Sequence, residues 1–259
     1  MTTVTTPDGA RIAYEATGDG PAIVLVHGIT ESRHSWDPLV GELARDHRVV
    51  ALDLRGHGES QRQPPYDALV MAGDVRVVVD AVGATAPLLV GHSLGGAVVS
   101  MYGAAYEARG VVNVDQPLDL GGFKELLTSI EPQLRADEAT FQLVISQIFE
   151  SLYGALQPNE RSRIASYAHP EQEVVLGVWD LILRSSREQL DQQVETLAAG
   201  ITAPYLALHG DDPGERYVSW LQATVPSAIV DIWPGLGHYP HLVESERFLR
   251  RLRAFERDL

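Results

Sequence analysis

The chain has no cysteine, which excludes disulfides, thiolate metal sites and a cysteine nucleophile. It is short of bases: 20 Lys and Arg stand against 35 Asp and Glu, a formal net charge of −15. That balance disfavours nucleic acid and anionic membrane surfaces as partners. No run approaches the ~18 continuous apolar residues of a membrane span. The opening stretch, MTTVTTPDGARIAYEATGDG, has neither a basic segment nor an apolar one behind it. No secretory signal is therefore expected, and a cytoplasmic protein is the expectation. Internal repeats and low-complexity segments are missing as well. What is present is ordinary globular composition, 45% hydrophobic and 21% charged over 259 residues. That is enough chain for a sizeable core, in one large domain or a domain carrying an insertion.

Residues 1–16 read as a hairpin turned at Pro7-Asp8-Gly9. Short apolar runs follow at 22–28, 48–54, 87–93, 110–116, 204–210 and 228–233. They are continuous rather than alternating, as strands buried on both faces of a parallel sheet are. Helical stretches lie between most of them, at 35–45, 67–83, 94–109 and 214–224, and the chain ends on a stripe of Val243, Phe248, Leu249, Leu252 and Phe255. Alternating strand and helix predicts a mostly parallel α/β sheet with helices on both faces.

One interval breaks the rhythm. Between Gln116 and Ala203 no strand is evident, but Phe141, Val144, Ile145, Ile148, Phe149 and Leu152 recur at helical spacing. Val174, Val178, Leu181 and Ile182 make a second stripe, and Pro132, Pro158 and Pro170 punctuate the segments. The expected organisation is a core of 1–115 and 204–259 with a helical cap at 116–203. A cap there would lie over the carboxyl ends of the strands, where open α/β sheets bind ligands. Extra helices packed on the sheet would give the same pattern. Phe123, Phe141, Phe149 and Trp179 could line an apolar substrate pocket or simply fill the core of these helices.

The most informative segment is LLVGHSLGGAVV. Gly91-His92-Ser93-Leu94-Gly95 fits G-x-S-x-G between an apolar strand and a helix. A serine on such a sharp turn is strained, flanked by small residues and lifted clear of the sheet. The N–H of Leu94 opens the helix and is a natural donor to an oxyanion. A chance serine in a Gly-rich turn would match the bare motif, but the strand–turn–helix context favours a nucleophile. The phosphate-cradling pattern G-x-x-x-x-G-K-[ST] is absent.

With these residues in place, the chain resembles the α/β-hydrolase superfamily over nearly its whole length. VLVHGITESRHSW (24–36) resembles the family's first catalytic loop, DLRGHGES (53–60) the loop after the next strand, GHSLGG the nucleophile elbow, and PGLGHYPHLVESERF the histidine loop and last helix. The resemblance implies Ser93 as nucleophile, His238 as general base, and the N–H groups of Ile29 and Leu94 as the oxyanion hole. Gly235 and Gly237 allow the turn His238 needs, and the order of serine first and histidine last fits the fold. His92 reads as a residue that packs or hydrogen-bonds beside the Ser93 turn, His57 as loop scaffold, Asp53 and Arg55 as a structural ion pair, and Trp36 as either a pocket-mouth or a core residue. His238 and His241 are three apart, but without H-E-x-x-H or an acid at helical spacing no metal site is expected.

The acid is where the sequence departs from the family pattern. The family commonly places it three residues after the glycine ending the strand at 204–210, and here that position is Pro213. Asp212 before Pro213 resembles the usual acid-then-turn with one residue deleted and is the preferred candidate. Asp211 would rather accept backbone N–H groups in the turn. Asp115, in VNVDQPLD, ends the preceding strand, where some members of the superfamily carry their acid. The reaction implied is hydrolysis of a small-molecule carboxylic ester through a serine acyl-enzyme, with no organic cofactor or metal. Lactonase, carbon–carbon bond hydrolase and cofactor-free haloperoxidase chemistry remain alternatives, as does a non-catalytic small-molecule binding protein on the same fold.

Overall fold

The computed structural model describes residues 1–259. Eight strands form one sheet in the order β1-β2-β4-β3-β5-β6-β7-β8: β1 (Thr2–Thr5), β2 (Arg11–Thr17), β3 (Ala22–Val26), β4 (Arg48–Leu52), β5 (Leu88–His92), β6 (Gly110–Val114), β7 (Tyr205–His209) and β8 (Ala228–Ile232). The hairpin of β1 and β2 is antiparallel and pairs antiparallel to β4, while β4 through β8 are parallel.

The core strands alternate which face each side chain serves, and both faces are dry. Ile23 and Leu25 of β3 pack with Leu39 and Leu43 of α1 (Asp37–Leu43) on one side. Val24 and Val26 pack on the other with Val75 and Val78 of α2 (Ala68–Ala81) and Val98 and Val99 of α3 (Leu94–Ala105). Two buried faces are why these strands read as continuous apolar runs. Asp67 caps α2 by accepting from the Val70 N–H.

Five helices lie between β6 and β7: α4 (Gly121–Leu134), α5 (Glu138–Leu152), α6 (Pro158–Tyr167), α7 (Gln172–Arg184) and α8 (Arg187–Gly200). Pro158 opens α6, but Pro132 lies inside the last turn of α4. Phe141 and Trp179 are buried in the apolar core of this region, with Phe123 edge-on to Trp179. Leu181 turns outward and is 44% exposed, so the buried stripe of α7 is Val174, Val175, Val178 and Trp179. The chain then continues through α9 (Glu215–Thr224), α10 (Pro240–Val243) and α11 (Ser245–Arg257). Phe248, Leu252 and Phe255 of α11 are buried beside α1; each such side chain contributes about 1.5–3 kcal/mol on burial. No helix is long and apolar enough to cross a membrane.

Candidate active site

Ser93 sits between β5 and α3 with φ 52° and ψ −122°, a conformation that L-residues rarely adopt. Close packing holds the turn in this shape. A Cβ on Gly91 would come within 2.1 Å of the Gly95 carbonyl oxygen, and one on Gly95 within 2.2 Å of the Val26 oxygen. Both glycines are therefore required by space. The Ser93 N–H bonds to the Val114 carbonyl at 3.0 Å, tying the turn to the end of β6. Leu94 is the first residue of α3, where an N–H has no partner within the helix. The loop after β3 brings Gly28 against the same turn: a Cβ there would lie 3.3 Å from Ser93 Cβ. The next residue, Ile29, is buried, and its N–H makes no hydrogen bond within the protein.

His238 lies on the loop between β8 and α10. Its Nδ1 is 2.7 Å from Asp115 Oδ2, and Asp115 Oδ1 accepts the Gly210 N–H at 2.8 Å. Because a carboxylate only accepts, His238 donates from Nδ1 to Asp115. Burial works to raise the Asp115 pKa, but the bond and charge interaction with His238 and the Gly210 N–H hold it below its ordinary value. The turn that presents Asp115 is built by Asn113: its Oδ1 accepts the Gln116 N–H at 3.2 Å and its Nδ2 donates to the Gln116 carbonyl at 2.8 Å. Asp115, clamped between them, takes φ 55°, a left-handed conformation that Asp tolerates better than most residues.

Asp212, the preferred acid from sequence, is not the partner of His238. Its carboxylate is exposed and accepts the Gly214 N–H at 2.8 Å. Asp211 is exposed too and accepts the Gly235 N–H at 3.2 Å. Asp212 is thus spent on its own turn and Asp211 on the Gly235 N–H of the loop that carries His238, and neither carboxylate bonds to the histidine. The Asp53–Arg55 pair is also corrected. Asp53 bonds to the Arg33 backbone and guanidinium, whereas Arg55 pairs with Asp74 and Asp8. Trp36 is fully buried with its ring 4.8 Å from that of His241, a core position.

Four further histidines lie buried around these loops: His27, His57, His92 and His241. His27 donates from Nδ1 to the Gly28 carbonyl at 2.7 Å and accepts the Leu54 N–H at Nε2. Burial pushes His57 down to about 3. His241 is fully buried, which drives its pKa well below the usual value. His92 donates from Nε2 to the His238 carbonyl at 2.8 Å, a hydrogen bond beside the Ser93 turn as its position suggested. The sequence reading missed Glu31, a buried carboxylate two residues beyond Ile29; an acid inside the apolar-flanked loop HGITES was the available signal.

Known proteins resemble this chain over nearly its whole length. A family model described as "Alpha/beta hydrolase family" matches residues 23–251. The "Bifunctional esterase/perhydrolase DCH" of Acinetobacter calcoaceticus is 28% identical over 98% of this chain and 99% of its own. "Esterase YbfF" of Escherichia coli is 26% identical over 96% of this chain and 98% of its own. The solved structure of an esterase, RhEst1, from Rhodococcus superposes with a TM-score of 0.77 at 25% identity, covering 100% of this chain and 98% of that one. The chain is a hydrolase and belongs to the alpha/beta hydrolase family.

Proposed function

We propose that the protein is a carboxylesterase acting on small-molecule esters through Ser93, His238 and Asp115. The observation that carries this reading is the 2.7 Å hydrogen bond between Asp115 and His238 Nδ1, on the strand end that also anchors the Ser93 turn. In this reading His238 Nε2 takes the Ser93 hydroxyl proton as Oγ attacks the ester carbonyl. The tetrahedral oxyanion is met by the N–H groups of Ile29 and Leu94, each contributing about 3 kcal/mol if it behaves as such donors do. Collapse expels the alcohol, which takes its proton from His238, and leaves an acyl-Ser93. Water, deprotonated by His238, then releases the acid and restores the serine. The esterase names of the Acinetobacter, E. coli and Rhodococcus proteins support the choice of ester over other acyl bonds.

Residues 116–203 act in this reading as a cap. Two backbone links support it: the His169 N–H bonds to the Thr30 carbonyl at 3.0 Å, and the Leu152 carbonyl accepts the His238 N–H at 3.1 Å. The insertion therefore touches both the Ile29 loop and the His238 loop. The test is hydrolysis of p-nitrophenyl acetate and butyrate by wild type beside Ser93→Ala, with fluorophosphonate labelling. The expected result is labelling at Ser93 and a fall in kcat of about four orders of magnitude or more in the variant. Equal rates for the two proteins would sink the reading.

A further inference from the structure

We propose that Glu31 is a positioning residue that holds the Ile29 loop, the Ser93 turn and the His238 loop in register with one another. The inference rests on the esterase reading above. Glu31 is only 2% exposed. Its Oε1 accepts the Tyr239 hydroxyl at 2.8 Å, and its Oε2 lies 2.8 Å from Ser35 Oγ and 3.8 Å from His92 Nδ1. Tyr239 is the neighbour of His238, and His92 is the neighbour of Ser93. Glu31 itself belongs to the loop that carries Ile29. One carboxylate thus contacts all three segments that bear the reacting groups.

The link runs one step further. His92 donates from Nε2 to the His238 backbone carbonyl at 2.8 Å. Its ring is packed with centroids 4.7 Å from each of His238, Tyr239 and His241, so it cannot turn without moving the base. Glu31 has no Lys or Arg partner; His92 is the only basic side chain within ion-pair distance. Burying a carboxylate costs several kcal/mol, and an apolar residue of similar volume would stabilise such a site at least as well. Polar contacts from one carboxylate to three segments, by contrast, favour one arrangement of the loops that share it. Burial works to raise the Glu31 pKa, but the interaction with His92 and the bonds from Ser35 and Tyr239 hold it well below the usual carboxylate range. The group is accordingly an anion, the strongest acceptor the Tyr239 hydroxyl could have.

The test compares wild type, Glu31→Gln, Tyr239→Phe and the double variant with a p-nitrophenyl ester, with kcat expressed per Ser93 labelled by fluorophosphonate. The expected result is full labelling with kcat lowered by about 10–100-fold in Glu31→Gln and KM within about twofold, as loosened alignment produces. Tyr239→Phe should lower kcat less, by about 3–10-fold, and the double variant should be no slower than Glu31→Gln, because both changes act on the same Glu31–Tyr239 bond, one weakening it and the other removing it. Two results overturn the inference: a kcat per labelled site within about twofold of wild type in Glu31→Gln, or loss only of the labelled fraction, which is what a purely structural role gives. Should Glu31→Gln fail to fold, an unimpaired Tyr239→Phe overturns it equally. A wild type that neither labels nor hydrolyses esters overturns the esterase reading, and this inference falls with it.

Discussion

Two neighbouring strands, β6 and β7, each end in a turn that carries acid, and the two turns treat it differently. After β6, Asn113 clamps Gln116 and holds Asp115 at φ 55° with its carboxylate on His238. After β7, Asp211 and Asp212 are exposed and spend their carboxylates on the Gly235 and Gly214 N–H groups. Yet the β7 turn is not idle. Gly210 donates its N–H to Asp115 and lies so close to the His238 loop that a Cβ would meet the Gly237 carbonyl oxygen at 1.8 Å. One turn supplies the carboxylate and the other supplies the room and the backbone donor that orient it. An acid at a strand end is therefore insufficient evidence of a role; what decides is whether the turn aims it inward.

The contrast can be broken most sharply at Asp115. Asp115→Asn should lower kcat by roughly 10³–10⁴-fold, because an amide can favour the wrong imidazole tautomer and cannot stabilise its cation. Gly210→Ala should follow at about 10²-fold, since the added methyl meets backbone and the His238 loop must shift. The stability of the protein should show the same asymmetry in acid. The Asp115 pKa lies below its ordinary value of 3.8 in the folded state. Its pairing therefore stabilises the fold above that value and the contribution is lost as pH falls through the folded pKa. Wild type should lose stability below about pH 4 more steeply than Asp115→Asn, measured by urea unfolding at stepped pH. Asp211→Asn removes the charge from one long, exposed hydrogen bond and should cost no more than about 1 kcal/mol with kcat unchanged. Asp212→Asn should be the mildest, leaving kcat within about twofold of wild type.

The sheet was legible because its strands are buried on both faces: AIVLV and PLLVGH admit little else between turn residues. The Ser93 turn was legible because the crowding of Gly91 and Gly95 leaves a local signature. The acid was harder to read. Asp115 and Asp212 follow equally good strands, and only the neighbouring of β6 and β7 and the clamp from Asn113 decide which one faces His238. Arg33 and Asp53 illustrate the same limit. They meet across the ends of adjacent segments, whereas Asp53 and Arg55, close in sequence, go to different partners. Glu31 was overlooked because its partners Ser35, His92 and Tyr239 come from three separate stretches.

The central claim is that the His238 Nδ1 proton is held by Asp115. The most direct measurement is the proton NMR signal of that Nδ1–H in nitrogen-15-labelled protein, assigned by its loss in His238→Gln. A signal protected from exchange in wild type and in Asp212→Asn, and abolished or moved in Asp115→Asn, is the predicted result. A signal unaffected by Asp115→Asn but lost in Asp212→Asn would contradict the account.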